Sequence, residues 1–221
     1  MHIMSSNVRG GLLLLCGTVS PGVARRRVAC HLFSMVIFAM TVSADGFITD
    51  ESGGIDWSSP SDELLQAHLE RVSGLSAYLL GRKLYETMLP WETDPSMRET
   101  PENAAFADVW QALPKVVFSS SLPQLHGNAR LARGSVAEEI ALATASGGDV
   151  EIGGATLAGQ ALELDLIDEF RMFRAPVILG RGTRYFSETS LLSAAKTLPL
   201  ELLELRTFSD IVYERYGRVR I

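Results

Sequence analysis

The chain has 221 residues, of which 47% are hydrophobic and 21% charged, and both values are ordinary for a soluble globular protein. The formal net charge is −6; residues 1–34 hold four arginines and no acid, which leaves 16 basic against 26 acidic side chains, a net −10, in the remainder. An acidic domain repels the phosphate backbone of nucleic acid, so we do not expect this protein to bind nucleic acid.

Residues 1–34 differ in composition from the rest of the chain, and we expect them to form a leader outside the working domain, 35–221. Their apolar run Leu12–Leu15 is too short to span a bilayer and short for a signal peptide, so no membrane partner is expected. An Arg-rich, acid-free leader is typical of an organelle transit peptide. The alternative is an over-extended start, which we favour because Met35 opens directly into an apolar, strand-like run.

The first half of the domain alternates strand and helix patterns. Met35–Val42 is a continuous apolar run typical of a strand buried on both faces. A polar, Gly-rich loop comes next at Asp50–Trp57, and then a helix is expected, with Ser59 as its N-cap and Pro60 at its first position. The next segments continue the alternation. The sequence predicts a strand at Ala77–Leu80, a helix from Gly81, a surface loop at Leu89–Pro101, a helix at Ala104–Leu113 and a strand at Lys115–Ser119.

The second half begins in the same way and ends differently. A short strand is expected at Leu131–Ala132, and Ser135 with Glu138 forms a capping box that predicts a helix over Ser135–Ala145. A strand at Asp149–Ile152 and a helix at Ala155–Leu164 come next. Two long, partly alternating runs then predict strands, the last of them able to form an antiparallel hairpin, at Ile167–Leu179 and Leu202–Tyr216. This order predicts an α/β fold with a mostly parallel central sheet and antiparallel C-terminal edge strands.

The sequence contains no metal-ligand motif. The two cysteines lie near the N-terminus without metal-ligand spacing, and the four histidines form no H-x-H or H-E-x-x-H cluster. We therefore expect neither disulfides nor a protein-held metal in the domain. The cysteines are Cys16 and Cys30, and the histidines are His2, His31, His68 and His126.

Three strand ends carry residues that suit a phosphate-bearing ligand, which collects at such ends in an α/β sheet. Gly153 and Gly154 precede a helix, so the N–H groups of Gly154, Ala155 and Thr156 could hold a pyrophosphate; a tight turn explains the glycines equally well.

Gly81 opens a helix whose first residues, Arg82 and Lys83, are unfavourable with the helix dipole unless an anion binds; the alternative is two solvated charges. Ser119 and Ser120 end a third strand, where hydroxyls bind phosphate or cap the turn.

The ordered set of motifs resembles the dihydrofolate-reductase-like superfamily, and within it the stand-alone relatives of the reductase domain of the riboflavin-biosynthesis deaminase–reductase. The segments that carry this resemblance are Ser43–Ile48, Gly54–Trp57, Leu80–Glu86, Val116–Ser120, Glu151–Ala155 and Pro176–Gly182. The resemblance implies a three-layer sandwich that binds NADPH. It implies that Gly81 and Arg82, with the Ser119–Ser120 pair, take the 2′-phosphate side of the cofactor, and that Gly153–Ala155 take the pyrophosphate.

Two acids are candidates for catalysis and substrate binding. Trp57, Pro60 and Asp62 repeat the spacing of folate reductases, whose acid faces the pterin, so Asp62 could bind the substrate and deliver a proton. Alternatively, Asp62 is a first-turn acid that stabilises its helix. Asp45 is either a turn residue before Gly46 or a contact with substrate. The sequence also departs from the family pattern: Leu84 stands where folate reductases carry Thr, and the zinc deaminase domain of the riboflavin enzyme has no counterpart here.

The favoured function is hydride transfer from NADPH to a C=N or C=O bond of a small heterocyclic substrate, either a ribosylaminopyrimidine or a pterin. The resemblance also implies a homodimer, and we expect a cytoplasmic location. One alternative is a nucleotide-binding module without turnover. A flavodoxin-like FMN protein fits the layout, but Asp45-Gly46 stands where its phosphate loop would come after the first strand.

Overall fold

A computed structural model of the chain describes residues 34–122, 124–145, 147–187 and 197–220. The predicted leader, 1–34, lies outside these residues except for Ser34. Among the described residues, no helix combines the length and the apolar character needed to cross a bilayer. The fold is therefore given for the working domain alone.

Ten strands and six α-helices make up the described part of the chain. The strands are β1 Val36–Ser43, β2 Phe47–Thr49, β3 Leu75–Gly81, β4 Lys115–Phe118, β5 Ala129–Leu131, β6 Asp149–Gly153, β7 Glu169–Ala175, β8 Thr183–Arg184, β9 Leu200–Phe208 and β10 Ile211–Arg218. The helices are α1 Asp62–Ser73, α2 Arg82–Met88, α3 Pro90–Thr93, α4 Pro101–Ala112, α5 Val136–Thr144 and α6 Ala155–Glu163. Two 3₁₀ segments lie at Asp56–Ser58 and Pro95–Arg98.

Eight strands form one sheet in the order β5-β4-β3-β6-β1-β7-β10-β9, and β2 pairs with β8 in a small second sheet. The first six strands of that order are parallel, whereas β10 runs antiparallel to both β7 and β9. The predicted α/β fold, with antiparallel strands added at one edge, is confirmed. The predicted run Leu202–Tyr216 is the β9–β10 hairpin, which turns at Ser209 with φ 55°.

Several sequence-based boundaries differ from the structure, and prolines or serines explain two of these differences. Helix α1 begins at Asp62 and is capped by Ser61, which accepts a hydrogen bond from Leu64 N, so the expected cap Ser59 lies outside the helix. The expected loop Leu89–Pro101 instead holds α3 and a 3₁₀ segment. Their prolines stand in the first turn, where a missing N–H costs no helical hydrogen bond. The predicted capping box of α5 is present.

The two faces of the sheet are packed differently. One face presents residues such as Phe38 and Ile152 to α5 and α6 in a continuous apolar core. The opposite face packs Leu80 and other apolar side chains against α1 and α4. Because side chains alternate along a strand, the central strands present Ala39, Glu151 and Gly153 on this second face. These residues are small or polar, so the second face has room for a cavity beside its core.

Candidate active site

A cavity of about 610 Å³ lies over this second face, among α1, α2 and the start of α6. Its volume is in the range of small-molecule and cofactor sites. The floor is formed by β1 and β3, and the walls carry apolar side chains such as Leu65, Phe106 and Phe118. The expected phosphate-binding residues Gly81, Arg82 and Lys83 line one side, and Gly154, Ala155 and Thr156 line another.

The turn between β6 and α6 suits a diphosphate. Gly154 has φ 94°, a conformation that favours glycine, and a Cβ added there would meet no atom within 4 Å. The first helical hydrogen bond runs from Ala158 N to Gly154 O, so the N–H groups of Ala155 and Thr156 are not used within the helix. These N–H groups lie at the cavity, where the helix dipole favours an anion.

A second, shallower pocket of about 480 Å³ adjoins the first, and Arg82 and Phe118 line both. It brings Arg82 together with Ser119 and Ser120, as the sequence predicted for the 2′-phosphate side. Ser119 also caps the local turn, since its Oγ accepts hydrogen bonds from Ser121 N at 3.2 Å and Leu122 N at 3.1 Å. Its hydroxyl hydrogen remains available to a ligand, so the two interpretations of the serines are compatible.

The structure does not bring the residues Trp57 and Asp62 into the cavity. Asp62 is the first residue of α1 and is exposed, while its neighbour Pro60 lines the cavity. Trp57 donates its Nε1–H to Gly54 O at 3.3 Å. The predicted contact of Asp62 with substrate stays a prediction, and capping by Ser61 sets the helix phase that turns Leu65 inward.

Asp45 is placed outside the cavity as well, where it ties two loops together. Its carboxylate accepts hydrogen bonds from Ser43 Oγ at 2.7 Å, Leu179 N at 3.1 Å and Gly180 N at 2.7 Å. The Ser43 hydrogen bond, helped by the two backbone N–H groups against the effect of burial, lowers the pKa of Asp45 to about 2. A carboxylate so held stays ionised near neutral pH and is a poor proton donor, which favours a structural role, while its predicted contact with substrate stays a prediction.

Sequence reasoning missed an ionic cluster at the cavity floor. Arg71 of α1 donates from Nη1 to Glu151 Oε1 of β6, and its Nη2 lies 3.4 Å from Nδ1 of His68. The ring of Phe173 lies below the guanidinium, with the centroid 5.7 Å from its central carbon. Tyr78 completes the cluster. The detectable signal was Glu151, a charged residue between the apolar Val150 and Ile152 of a central strand, since such residues are seldom fully buried unless paired.

Burial decides the protonation states in this cluster. Desolvation, helped by the nearby Arg71, lowers the pKa of His68 to about 3, so the imidazole is neutral. Desolvation and the neighbouring Glu151 carboxylate raise the pKa of Tyr78 well above its usual value, so the phenol keeps its proton. Burial opposes the charge of Arg71, but Glu151 outweighs it and the pKa of the guanidinium is raised. Within the described ranges, no group of three or more His, Cys, Asp or Glu residues is arranged to hold a metal ion.

Several solved structures share this fold. A protein of Shewanella sp. PV-4 that carries a provisional riboflavin-biosynthesis name superposes with a TM-score of 0.63 at 23% identity, covering 84% of this chain and 99% of that one. The Thermotoga maritima diaminohydroxyphosphoribosylaminopyrimidine deaminase/5-amino-6-(5-phosphoribosylamino)uracil reductase gives 0.61 at 17% identity, covering 85% of this chain and 57% of that longer chain. Enterococcus faecalis dihydrofolate reductase, complexed with NADP(H), gives 0.52 at 17% identity, covering 85% and 99%.

Sequence comparisons agree with the structural ones. The uncharacterized protein YyaP of Bacillus subtilis (strain 168) is 27% identical over 194 residues, which cover 82% of this chain and 95% of that protein. Residues 34–213 match the family model described as the RibD C-terminal domain. This match covers nine of the ten strands and the start of β10, together with the residues that line the cavity. The chain therefore belongs to the RibD C-terminal domain family, with a dihydrofolate-reductase-like fold.

Proposed function

We propose that this protein is an NADPH-dependent reductase that transfers hydride to a C=N or C=O bond of a small heterocyclic substrate. The observation that carries the proposal is one continuous site that joins an apolar cavity, the glycine turn at Gly154 and the cationic serine pocket at Arg82. Family membership supports the same chemistry at the level of a reductase.

The residues of this site fit each part of the cofactor. The N–H groups of Gly154, Ala155 and Thr156 would hold the pyrophosphate, with Gly153 allowing the close approach of β6 to α2. Arg82 and Lys83, together with Ser119 and Ser120, would hold the 2′-phosphate by charge-assisted hydrogen bonds. NADPH, when bound, supplies the hydride. The chain's own residues orient the two reactants and exclude water with the apolar walls of the cavity.

For the substrate, we propose an aminouracil of the kind named for the Thermotoga reductase. A pterin is less favoured, because no Asp or Glu is among the described residues that line the cavity to bind an amino-pyrimidine edge. The same observation favours a second candidate function, nucleotide binding without turnover, since a reduction also needs a proton source. Thr41 and Tyr78 carry hydroxyls at the cavity that could relay a proton.

One experiment separates reductase from binder. NADPH and NADH are titrated into the full chain by isothermal calorimetry, and cofactor oxidation is then followed by absorbance with a panel of aminouracils, pteridines and dihydrofolate. Saturable NADPH binding with substrate-dependent oxidation supports the reductase. Saturable binding with no oxidation across the panel supports the binder, and absence of NADPH binding contradicts both.

A homodimer is part of this proposal. Strand β9 is the edge of the sheet and leaves Leu202, Leu203 and Leu205 46–60% exposed. Among the described residues, this strand edge with its dense apolar row is a surface that another chain could cover. A second copy of the same chain is the partner that we propose.

A further inference from the structure

We propose that Arg71 selects the substrate by donating hydrogen bonds to a carbonyl or oxyanion oxygen of the ring that enters the cavity. This inference rests on the proposed function, because it concerns the substrate half of the same site. Arg71 projects from the last turn of α1 and lines the cavity, and 14% of its side chain remains exposed. The other cationic side chains of the lining, Arg82 and Lys83, belong to the first turn of α2 at the cofactor side.

Arg71 is held in one orientation by its surroundings. Glu151 is fully buried and fixes Nη1, His68 lies beside Nη2, and Phe173 supports the guanidinium plane. A planar guanidinium that is fixed before binding loses little freedom when it forms further hydrogen bonds. Glu151 thereby acts as a positioning residue for Arg71.

Burying these charges costs desolvation free energy that a purely structural role does not explain. Arg71 Nε and Glu151 Oε2 are buried and have no hydrogen-bond partner among the described protein atoms. A buried ion pair repays its desolvation only when its remaining polar atoms are satisfied, and apolar residues of similar size are often as stable. Buried polar atoms without hydrogen-bond partners are found preferentially at functional sites. Their presence here favours a role in binding.

The polarity of the floor determines what it can recognise. A guanidinium has five donors and no acceptor. Tyr78 keeps its hydroxyl proton, and His68 is neutral with Nδ1 facing the Arg71 donor, which places the imidazole N–H on Nε2. The described lining contains no carboxylate. The floor therefore favours rings that present oxo groups over rings that present amino groups at the same positions.

A matched pair of pteridines tests this preference. Lumazine carries oxo groups at positions 2 and 4, and 2,4-diaminopteridine carries amino groups there on the same ring system. Binding of each to the full chain is measured by fluorescence titration, with and without saturating NADPH. We expect lumazine to bind at least about tenfold more tightly, as charge-assisted hydrogen bonds require. Equal affinities, a preference for the diamino ring, or failure of lumazine to bind would overturn the proposal.

The variants assign the preference to Arg71. Removing Arg71 alone leaves a buried, unpaired carboxylate that endangers the fold, so the main variant is Arg71→Met/Glu151→Gln, which removes both charges. It should bind the two pteridines within about twofold of each other, while Arg71→Lys should keep part of the preference. Met88→Ala, which alters the apolar lining, is the control and should change both affinities alike.

The outcomes separate this inference from the proposed function. Circular dichroism checks that each variant is folded. A folded double variant that still prefers lumazine about tenfold would refute the role of Arg71. NADPH affinity is measured in parallel and should not depend on Arg71. A chain that shows the Arg71-dependent preference but does not bind NADPH would contradict the proposed function and leave the present inference standing.

Discussion

Leu84 of α2 occupies the space that a Cβ on Gly153 would need, and the hydroxyl of Tyr78 would lie 2.9 Å from the same Cβ. At the adjacent Gly154 a Cβ would meet no atom within 4 Å, but the backbone φ is 94°. The two glycines are therefore required for different reasons. Gly153 allows close packing of β6 against α2, and Gly154 forms the turn that opens onto the cavity.

The first prediction separates these roles with one methyl group. Gly153→Ala should lower the free energy of unfolding by about 1–3 kcal/mol through overpacking. Gly154→Ala should cost about 1–3 kcal/mol through backbone strain and should also weaken NADPH binding at least about tenfold, because the methyl occupies the phosphate position. Urea denaturation and calorimetry measure the two effects. Unchanged NADPH affinity in a folded Gly154→Ala protein would reduce this glycine to a turn residue.

The second prediction concerns the choice between NADPH and NADH. Arg82 is half exposed and its ion pair with Glu86, at 3.4 Å, leaves it free to bind a phosphate in the serine pocket. Arg82→Ala should weaken NADPH binding about tenfold or more and leave NADH binding nearly unchanged. Arg98→Ala removes a cation that lines neither pocket and serves as the control. An equal loss for both cofactors would show that Arg82 does not contact the 2′-phosphate.

Much of the fold could be predicted from the sequence, because its signals are local. The apolar run at β1 and the capping box of α5 each depend on a few neighbouring residues. The glycine turn and the serine pocket were found for the same reason. The Arg71–Glu151 pair joins residues 80 positions apart, and no local pattern links a polar helix residue to a single acid in another strand.

The start of α1 shows how the choice between two possible caps moves a helix boundary by two residues. Both Ser59 and Ser61 are good N-caps in the sequence, and the first was expected to begin the helix. The structure uses Ser61, so Asp62 occupies the first helical position and lies at the surface. Choosing between two adjacent caps depends on tertiary packing of Leu64 and Leu65, which the sequence alone does not determine.

The third prediction concerns the positions of the two acids. Asp62→Ala should change substrate turnover little, because Asp62 does not reach the cavity. Asp45→Ala should lower the melting temperature, because it releases Leu179 and Gly180, and should leave NADPH affinity within about twofold. Since the pKa of Asp45 is lowered to about 2, its stabilising effect is present above pH 4 and lost as the pH falls toward 2. A loss of turnover at unchanged melting temperature in either variant would restore a catalytic role.

The fourth prediction is a pH dependence of stability caused by His68. Its pKa is lowered to about 3 in the folded chain from 6.5 in the unfolded one, so only the unfolded state takes up a proton between these values. Stability is therefore lost as the pH falls below 6.5, by about 2 kcal/mol between pH 7 and pH 5. His68→Gln keeps an acceptor for Arg71 but does not titrate. Urea denaturation at the two pH values should give the wild type the larger decrease, and equal decreases would contradict a buried neutral imidazole.

The last prediction concerns the proposed homodimer. Leu202 pairs with Tyr216 and Leu205 with Glu214, and these partners stand two residues apart on β10, so both leucines lie on one face of the edge strand. The charged double variant Leu202→Lys/Leu205→Lys should give the mass of a single chain in light scattering, while the wild type at micromolar concentration gives twice 24.1 kDa. The substituted positions are 52% and 60% exposed, so the folded chain itself should tolerate the change.

Ile178→Lys, at an exposed position in the loop after β7, is the matched control and should remain dimeric. A wild type that scatters as one chain would exclude the homodimer, whereas a dimer that survives both lysines would move the interface away from β9.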